Sequence, residues 1–271
     1  MRICLLGGTG QLGHELKKVL VEKEIYAFGR RDFDITNLDK SYEALKTIKP
    51  DIIIHAAAFT DVDLCEDREE LALKVNGKGT GNIAQIANRL NSRMVYISTD
   101  YVFDGEKGSP YKVDDGKNPI NVYGRSKYLG EQEVAKHMDR FFIVRTAWLY
   151  GHMGKNFIKS ILNLTTNNSL LTVVKDQTGC PTYALDLASA IAELINTQDY
   201  GSYHFVNSGE ATWYEFAEEI CRIKGIEAKI LPISSSELQR KAKRPKYSSL
   251  NNSSSIQLRH WKDALKSFLQ K

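Results

Sequence analysis

Short apolar runs recur along the chain, separated by stretches in which apolar residues return at every third or fourth position. The runs at 1–6, 25–28, 51–55, 94–97 and 141–145 are apolar almost throughout and rich in β-prone residues. Continuous rather than alternating hydrophobicity marks strands buried on both faces. Between the first two runs, Leu12, Leu16, Val19 and Leu20 fall at helical spacing. The stretch 41–48 is a second helix, ended by Pro50. Residues 64–90 are expected to form one long helix, with Val75, Ile83, Ile86, Ala87 and Leu90 as its apolar positions. Another helix begins just after Pro119, with Asn121 as its cap. Strand–helix alternation through residue 146 predicts an α/β fold with a parallel, doubly wound sheet.

Beyond residue 147 the pattern loosens. It predicts a helix at 156–164, a strand at 170–174, and a turn at Gly179-Cys180-Pro181-Thr182 feeding a helix at 184–195. A strand at 202–206, a helix at 213–224 and a short final helix ending near Leu269 follow. The stretch 241–255 is basic and then serine-rich. Its composition suits a disordered linker, and Arg244-Pro245 with Tyr247-Ser248 equally suits a clamp on an anionic ligand.

The first strand runs directly into Gly7-Gly8-Thr9-Gly10-Gln11-Leu12-Gly13, and a helix follows. Glycines at 7, 10 and 13 let the backbone turn tightly and approach a pyrophosphate, which rests on the amides and positive dipole of the helix start. That context makes the sheet Rossmann-like and points to a dinucleotide. The end of the second strand decides which one: arginine accepts a 2′-phosphate, whereas a carboxylate accepts a 2′-hydroxyl. Arg30 and Arg31 come first and favour NADPH; Asp32 and Asp34 follow and leave NADH open, and Arg31 is equally readable as a solvated charge. Residues 1–147 are therefore expected to form the dinucleotide domain, with 182–206 returning to it. Residues 148–271 form mainly a smaller carboxyl-terminal α/β region that binds substrate.

Ser98-Thr99-Asp100-Tyr101 places hydroxyls and a carboxylate at the end of the fourth strand, and Tyr123 and Lys127 stand one helical turn apart. A free phenol, with a pKa of roughly 10, is a poor proton donor or acceptor at neutral pH, and a neighbouring ammonium is expected to lower it. Tyr42 and Lys46 repeat the spacing on an ordinary amphipathic segment, so the spacing alone means little. Only Tyr123 follows a hydroxyl-bearing strand end. The small residues Ala56-Ala57-Ala58 after the third strand leave room for a cofactor to lie across it. His55 continues an isoleucine run and reads as a core histidine before it reads as a catalyst, and Asn76 is either a backbone anchor near the site or an ordinary helix polar residue.

Composition narrows the class. With 271 residues, 42% hydrophobic and 26% charged, the chain can bury a sizeable core. A formal charge of +4 from interspersed signs does not call for nucleic acid, while an anionic small ligand is easily accommodated. Cys4, Cys65, Cys180 and Cys221 are far apart and read as buried free thiols of a reducing compartment. No apolar stretch reaches the ~20 residues that span a bilayer, and the first strand breaks into glycines unlike a signal peptide. A cytoplasmic protein is expected.

Assembled, these residues resemble the dTDP-4-dehydrorhamnose reductases of the extended short-chain dehydrogenase/reductase superfamily, almost end to end. The resemblance rests on the glycine motif, Ala56-Ala57-Ala58-Phe59-Thr60-Asp61-Val62-Asp63, and Ser98-Thr99-Asp100-Tyr101-Val102-Phe103-Asp104-Gly105. It continues through Pro119 with Asn121-Val122-Tyr123-Gly124 and Lys127, and Arg145-Thr146 with Trp148-Leu149-Tyr150-Gly151. Asp176-Gln177 with Gly179 and Pro181-Thr182, and finally Arg244-Pro245, complete it. It implies NADPH-dependent reduction of the 4-keto group of a dTDP-6-deoxyhexose to dTDP-L-rhamnose. Tyr123 would donate the proton, Lys127 would hold the nicotinamide ribose and depress the Tyr123 pKa, and Thr99 would bind the reacting oxygen. The dinucleotide would meet Gly7, Gly10, Gln11, Leu12, Gly13, Arg30, Asp34, Ile35, Ala56, Ala57 and Ala58 besides Tyr123 and Lys127. Thr99, Asp100, Tyr101, Trp148 and Arg244 would line the sugar nucleotide. Some family members join a dimer through glutamate-bound magnesium; Glu15 matches one such position but Leu185 falls at another, so no metal is expected, in a monomer or homodimer. A related 4-ketoreductase or epimerase, or a non-catalytic NADP-binding subunit, is the alternative.

Overall fold

The computed structural model describes residues 1–167, 170–252 and 254–270. Its centre is a six-stranded, all-parallel sheet built from β1 (Arg2–Leu6), β2 (Glu24–Phe28), β3 (Ile52–His55), β4 (Arg93–Thr99), β5 (Phe141–Thr146) and a sixth strand, Gly201–His204. The spatial order runs from the sixth strand through β5, β4, β3 and β1 to β2. Leu6 is in register with both Phe28 and His55, and Thr99 with Thr146, so the carboxyl ends form one edge. The chain reverses its direction of travel between β1 and β3, and such a switch point opens a crevice at that edge.

β1, β3, β4 and β5 bury both faces, as their continuous hydrophobicity requires; β2 lies at one edge of the sheet and, against the expectation for 25–28, leaves Glu24, Tyr26 and Ala27 exposed. Ile3, Leu5, Ile52, Ile54, Val95, Phe142 and Val144 pack under the helices Gln11–Val19 and Ala184–Leu194. Cys4, Leu6, Ile53, Met94, Tyr96 and Ile143 face the other way, toward Ile83 and Ala87 of helix Thr80–Arg89 and Val134 of helix Val122–His137. Each such fully buried aliphatic side chain contributes roughly 1.5–3 kcal/mol. All four cysteines are buried and free.

One expected helix is broken. In place of a continuous 64–90 helix the chain forms Val62–Asp67, Glu69–Ala72, a π-helical stretch Leu73–Gly79, and Thr80–Arg89. Arg68, at φ −131° and ψ 52°, makes the first break. The wider π turn delivers Asn76 to the sheet edge, where Oδ1 accepts from the Phe59 N–H (2.8 Å) and Nδ2 donates to the Phe59 carbonyl (2.9 Å) and Ser126 Oγ (2.9 Å). Asn76 is thus a backbone anchor; π turns of this kind cluster at functional sites.

A buried ion pair fixes the helix that carries Tyr123. Arg145 of β5 meets both oxygens of Glu131 on helix Val122–His137 at 2.8 Å, and Ser98 Oγ donates to Glu131 Oε1 (2.6 Å). Arg145 also reaches the Val113 carbonyl and His204 Nε2, so its buried charge is paired and held by hydrogen bonds. Ser98 therefore serves the frame.

The carboxyl-terminal region packs helices Phe157–Asn167, Trp213–Lys224 and Trp261–Leu269 around Tyr150, Tyr183, Phe216 and Phe268. The strand Leu170–Val174 gains a parallel partner, Lys229–Ile233, that the sequence pattern does not announce. The 241–255 stretch is not a free linker in its described part; Ser253 lies outside the described residues. Ser248 N–H donates to the Thr178 carbonyl, Tyr111 N–H to Ser249 and Asn251 N–H to Tyr111, all at 2.8 Å, and Ser248, Ser249 and Leu250 are buried.

Candidate active site

A cleft of about 1160 Å³ follows the carboxyl edge of the sheet. Its floor at one end is the glycine turn. Gly7 has φ +90°, and a Cβ there would stand 2.7 Å from the Ala56 and Ala57 backbone, so only glycine lets the turn close on β3. Helix Gln11–Val19 starts from Gly10 without a side-chain cap and without an acid in its first turn, which leaves its leading N–H groups for an anion. Gly10, Gln11, Leu12, Gly13, Ala56, Ala57 and Ala58 all line this end. A cradle of bare amides under a roomy cleft fits a dinucleotide pyrophosphate.

The two arginines after β2 are separated. Arg30 lines the cleft together with Asp34 and Ile35, while Arg31 is exposed and off the wall. Asp32 is turned back onto the Gly29 N–H (3.0 Å). The Asp34 carboxylate accepts from both Thr36 N–H (2.9 Å) and Thr36 Oγ1 (2.8 Å), which holds its pKa below the usual range.

Across the cleft, Asn121 caps helix Val122–His137, its Oδ1 accepting from the Gly124 N–H (2.7 Å), and Glu66 accepts from the Val122 N–H (2.8 Å). Tyr123 and Lys127 both face the cleft, with Thr99 at the end of β4 beside them. The expected electrostatics are reversed. Burial raises the Tyr123 pKa, Asp100 adds to the rise, and the Thr99 hydroxyl opposes it. Lys127 Nζ donates to the Ile97 carbonyl (2.7 Å) and lies 4.1 Å from the Tyr96 ring centre. Burial brings Lys127 itself down to about 7, against the pull of Glu131. Tyr123 is thus held as a protonated phenol. His55 is fully buried, bonded to Thr80 Oγ1 (3.1 Å) and brought down to about 3, a neutral core histidine.

The expected sugar-lining residues divide. Tyr101 packs edge-on to Tyr123, 5.9 Å between ring centres, on the cleft wall. Trp148 adopts φ +45°, a left-handed conformation that is strained for a bulky residue. It is held by stacking on Trp213 (3.5 Å, 5°) and by Gly179, where a Cβ would meet the indole at 2.5 Å. Asp100 is reached by the cleft but committed inward: Thr99 Oγ1 donates to Oδ1 (3.0 Å) and Ser248 Oγ to Oδ2 (2.6 Å). Burial raises its pKa to about 6. Arg244 is not on the cleft wall. Its guanidinium grips Asp63 with bonds of 2.6 and 2.7 Å, and holds that carboxyl down to about 2. It acts behind Tyr101 as a fastener of the 241–252 strap.

Residues the sequence pattern did not single out complete the wall: Lys74, Lys155 and Trp213. No local motif marks them, since each is brought there by tertiary packing. Glu15, matched above to a metal position, is buried and pairs with Lys18 (3.0 Å), and Leu185 packs into the carboxyl-terminal core.

A Rossmann-like sheet whose carboxyl edge gathers a glycine turn, a strand-end threonine and a Tyr–Lys pair defines an oxidoreductase of the short-chain dehydrogenase/reductase class. The family model for the RmlD substrate binding domain matches residues 1–271. The chain belongs to that family, the dTDP-4-dehydrorhamnose reductases. It is 38% identical to the spore coat polysaccharide biosynthesis protein SpsK of Bacillus subtilis, covering 99% of this chain and 97% of that protein. It is 37% identical to a dTDP-4-dehydrorhamnose reductase of Aggregatibacter actinomycetemcomitans, covering 98% and 97%. The crystal structure of dTDP-4-dehydrorhamnose reductase from Bacillus anthracis in complex with NADP superposes with a TM-score of 0.97 at 40% identity, covering 99% and 98%.

Proposed function

We propose that the chain reduces the 4-keto group of dTDP-4-dehydro-6-deoxy-L-mannose to give dTDP-L-rhamnose, with NADPH as the donor and NADH as a second choice. The observation that carries the reading is the meeting of Thr99, Tyr123 and Lys127 with the glycine turn in one cleft. Bound reduced nicotinamide supplies a hydride to the carbonyl carbon. Tyr123 Oη gives its proton to the carbonyl oxygen, so C=O becomes CH–OH without an unprotected alkoxide. Its raised pKa keeps that proton in place at neutral pH. Lys127, one helical turn from Tyr123 on the same cleft wall, would supply positive charge on that side as negative charge grows on the phenol. Thr99 carries one proton, now directed at Asp100, and turns it toward the substrate oxygen on binding. Tyr101 and the stacked Trp148–Trp213 pair offer flat apolar surface to the sugar nucleotide.

In this reading residues 1–147 with 182–206 hold the dinucleotide, and 148–271 supply most of the substrate wall. The protein works in the cytoplasm as a monomer or homodimer; no helix among the described residues is long and apolar enough to cross a membrane. The test is loss of nicotinamide absorbance with purified protein, NADPH and dTDP-4-dehydro-β-L-rhamnose. Oxidation with dTDP-L-rhamnose as product is expected. Tight NADPH binding without oxidation moves the reading to another keto-sugar, and failure with a panel of keto-sugars moves it to a binding subunit.

A further inference from the structure

The loop from Gly151 to Asn156 crosses the mouth of the glycine turn. Asn156 ties it there: Nδ2 donates to Gln11 Oε1 (3.0 Å) and to the Gly151 carbonyl (2.8 Å), while Oδ1 accepts from the Lys159 N–H (3.1 Å). Lys159 Nζ braces the loop by donating to the carbonyls of His152 (2.7 Å) and Gly154 (3.0 Å). Gly154, at φ +70°, lies close against the Gln11 side chain. These contacts set Lys155 on the cleft wall with Gly10 and Gln11. Lys155 is exposed and, among the described residues, has no hydrogen-bond or ion-pair partner.

A diphosphate diester carries two full negative charges, whereas helix-start amides offer only partial positive ones. The other cations on the wall are placed elsewhere: Arg30 follows β2, Lys74 acts on Asp34, and Lys127 is bonded to Ile97. We propose that Lys155 is a binding residue for a diphosphate, and that its tether to Gln11 assigns it to the pyrophosphate of the dinucleotide rather than to the diphosphate of the sugar nucleotide. The inference rests on the dinucleotide reading of the cleft, and it adds a full charge that the glycine turn lacks.

The test is fluorescence titration of NADPH and NADH, and calorimetric titration of dTDP, into the parent, Lys155→Ala and Lys155→Arg proteins. Lys155→Ala raises the Kd of both dinucleotides by the same factor, about five-fold at low salt, the scale of one partly exposed charge contact. The factor shrinks as salt is added, Lys155→Arg restores parental binding, and dTDP is unaffected. Parental Kd values in Lys155→Ala, or a loss confined to dTDP, would overturn the inference. A parent chain that binds neither dinucleotide would overturn the cofactor reading and this inference with it. Dinucleotide binding without turnover would sink the proposed reaction alone.

Discussion

Ser248 Oγ lies 2.6 Å from Asp100 Oδ2, although 148 residues separate them in the chain. The contact joins the carboxyl-terminal strap to the strand end beside Thr99, and it places a donor on a carboxyl that burial has raised to about 6. Because that folded value exceeds the unfolded value of roughly 3.9, the carboxyl's contribution to stability is complete below about pH 4 and is lost as pH rises through 6. Ser248→Ala removes a donor that the ionised carboxyl needs and the protonated one does not. It is expected to destabilise the protein by about 1–2 kcal/mol at pH 8 and by much less at pH 4. Urea unfolding at the two pH values checks this, and equal losses would reduce Ser248 to a packing residue.

Tyr123→Phe removes the proposed proton donor and leaves the ring against Tyr101. Turnover should fall ~10²–10⁴-fold while NADPH binding and the melting temperature hold. A variant that works at the parental rate would strip Tyr123 of the role.

In the proposed mechanism Lys127 is a site where stability is given up for chemistry. Its folded pKa of about 7 lies below the ordinary value of 10.5, so the burden of its buried charge is complete below pH 7 and fades as pH rises toward 10.5. Lys127→Met should therefore stabilise the ligand-free protein by roughly 1–3 kcal/mol at pH 6 and progressively less above pH 8, while turnover collapses. Thermal melts across that range decide it; a loss of stability at pH 6 would mean that the bond to Ile97 outweighs desolvation.

Arg30 is the arginine on the cleft wall, and Asp34 is occupied with Thr36. Arg30→Ala should weaken NADPH ten-fold or so and NADH hardly at all, on the scale of one charged hydrogen bond. The ratio of the two KM values reads this out directly, and an unchanged ratio would take the 2′-phosphate away from Arg30.

Gly179 leaves the space that Trp148 fills. Gly179→Ala brings a methyl to 2.5 Å from the indole and forces Trp148 off Trp213. KM for the sugar nucleotide should rise severalfold with KM for NADPH unchanged, since the proposed reading gives this pair to the substrate. Steady-state kinetics on both substrates separates the two.

The centre of the sheet was legible because β1, β3, β4 and β5 are short runs buried on both faces, and such runs survive without knowledge of their neighbours. That the glycine turn, Thr99, Tyr123 and Lys127 share one edge was legible for the same local reason: each hangs directly on a strand end or a helix start. Where the outcome depended on three-dimensional surroundings, the pattern misled. The 64–90 periodicity carries no mark of the extra backbone residue that turns Asn76 onto Phe59. Spacing put Lys127 beside Tyr123 but could not weigh burial against charge, and burial prevails. Arg244 looked like a ligand arginine because Asp63, its partner, is 181 residues away in sequence.

The strap is fastened at three points: Lys241 to Asp67, Arg244 to Asp63, and Ser248 to Asp100. All three acidic partners are made well before their donors, which follow 174, 181 and 148 residues later. A nascent chain that has emerged through helix Val122–His137 already owns its glycine turn and its phenol, yet Asp100 still lacks a donor and Asp63 its counter-charge. Even the sheet waits, since its outer strand Gly201–His204 follows a long excursion through the carboxyl-terminal region. A ribosome stalled before Ser248 thus holds a chain whose floor beside Thr99 is unfinished.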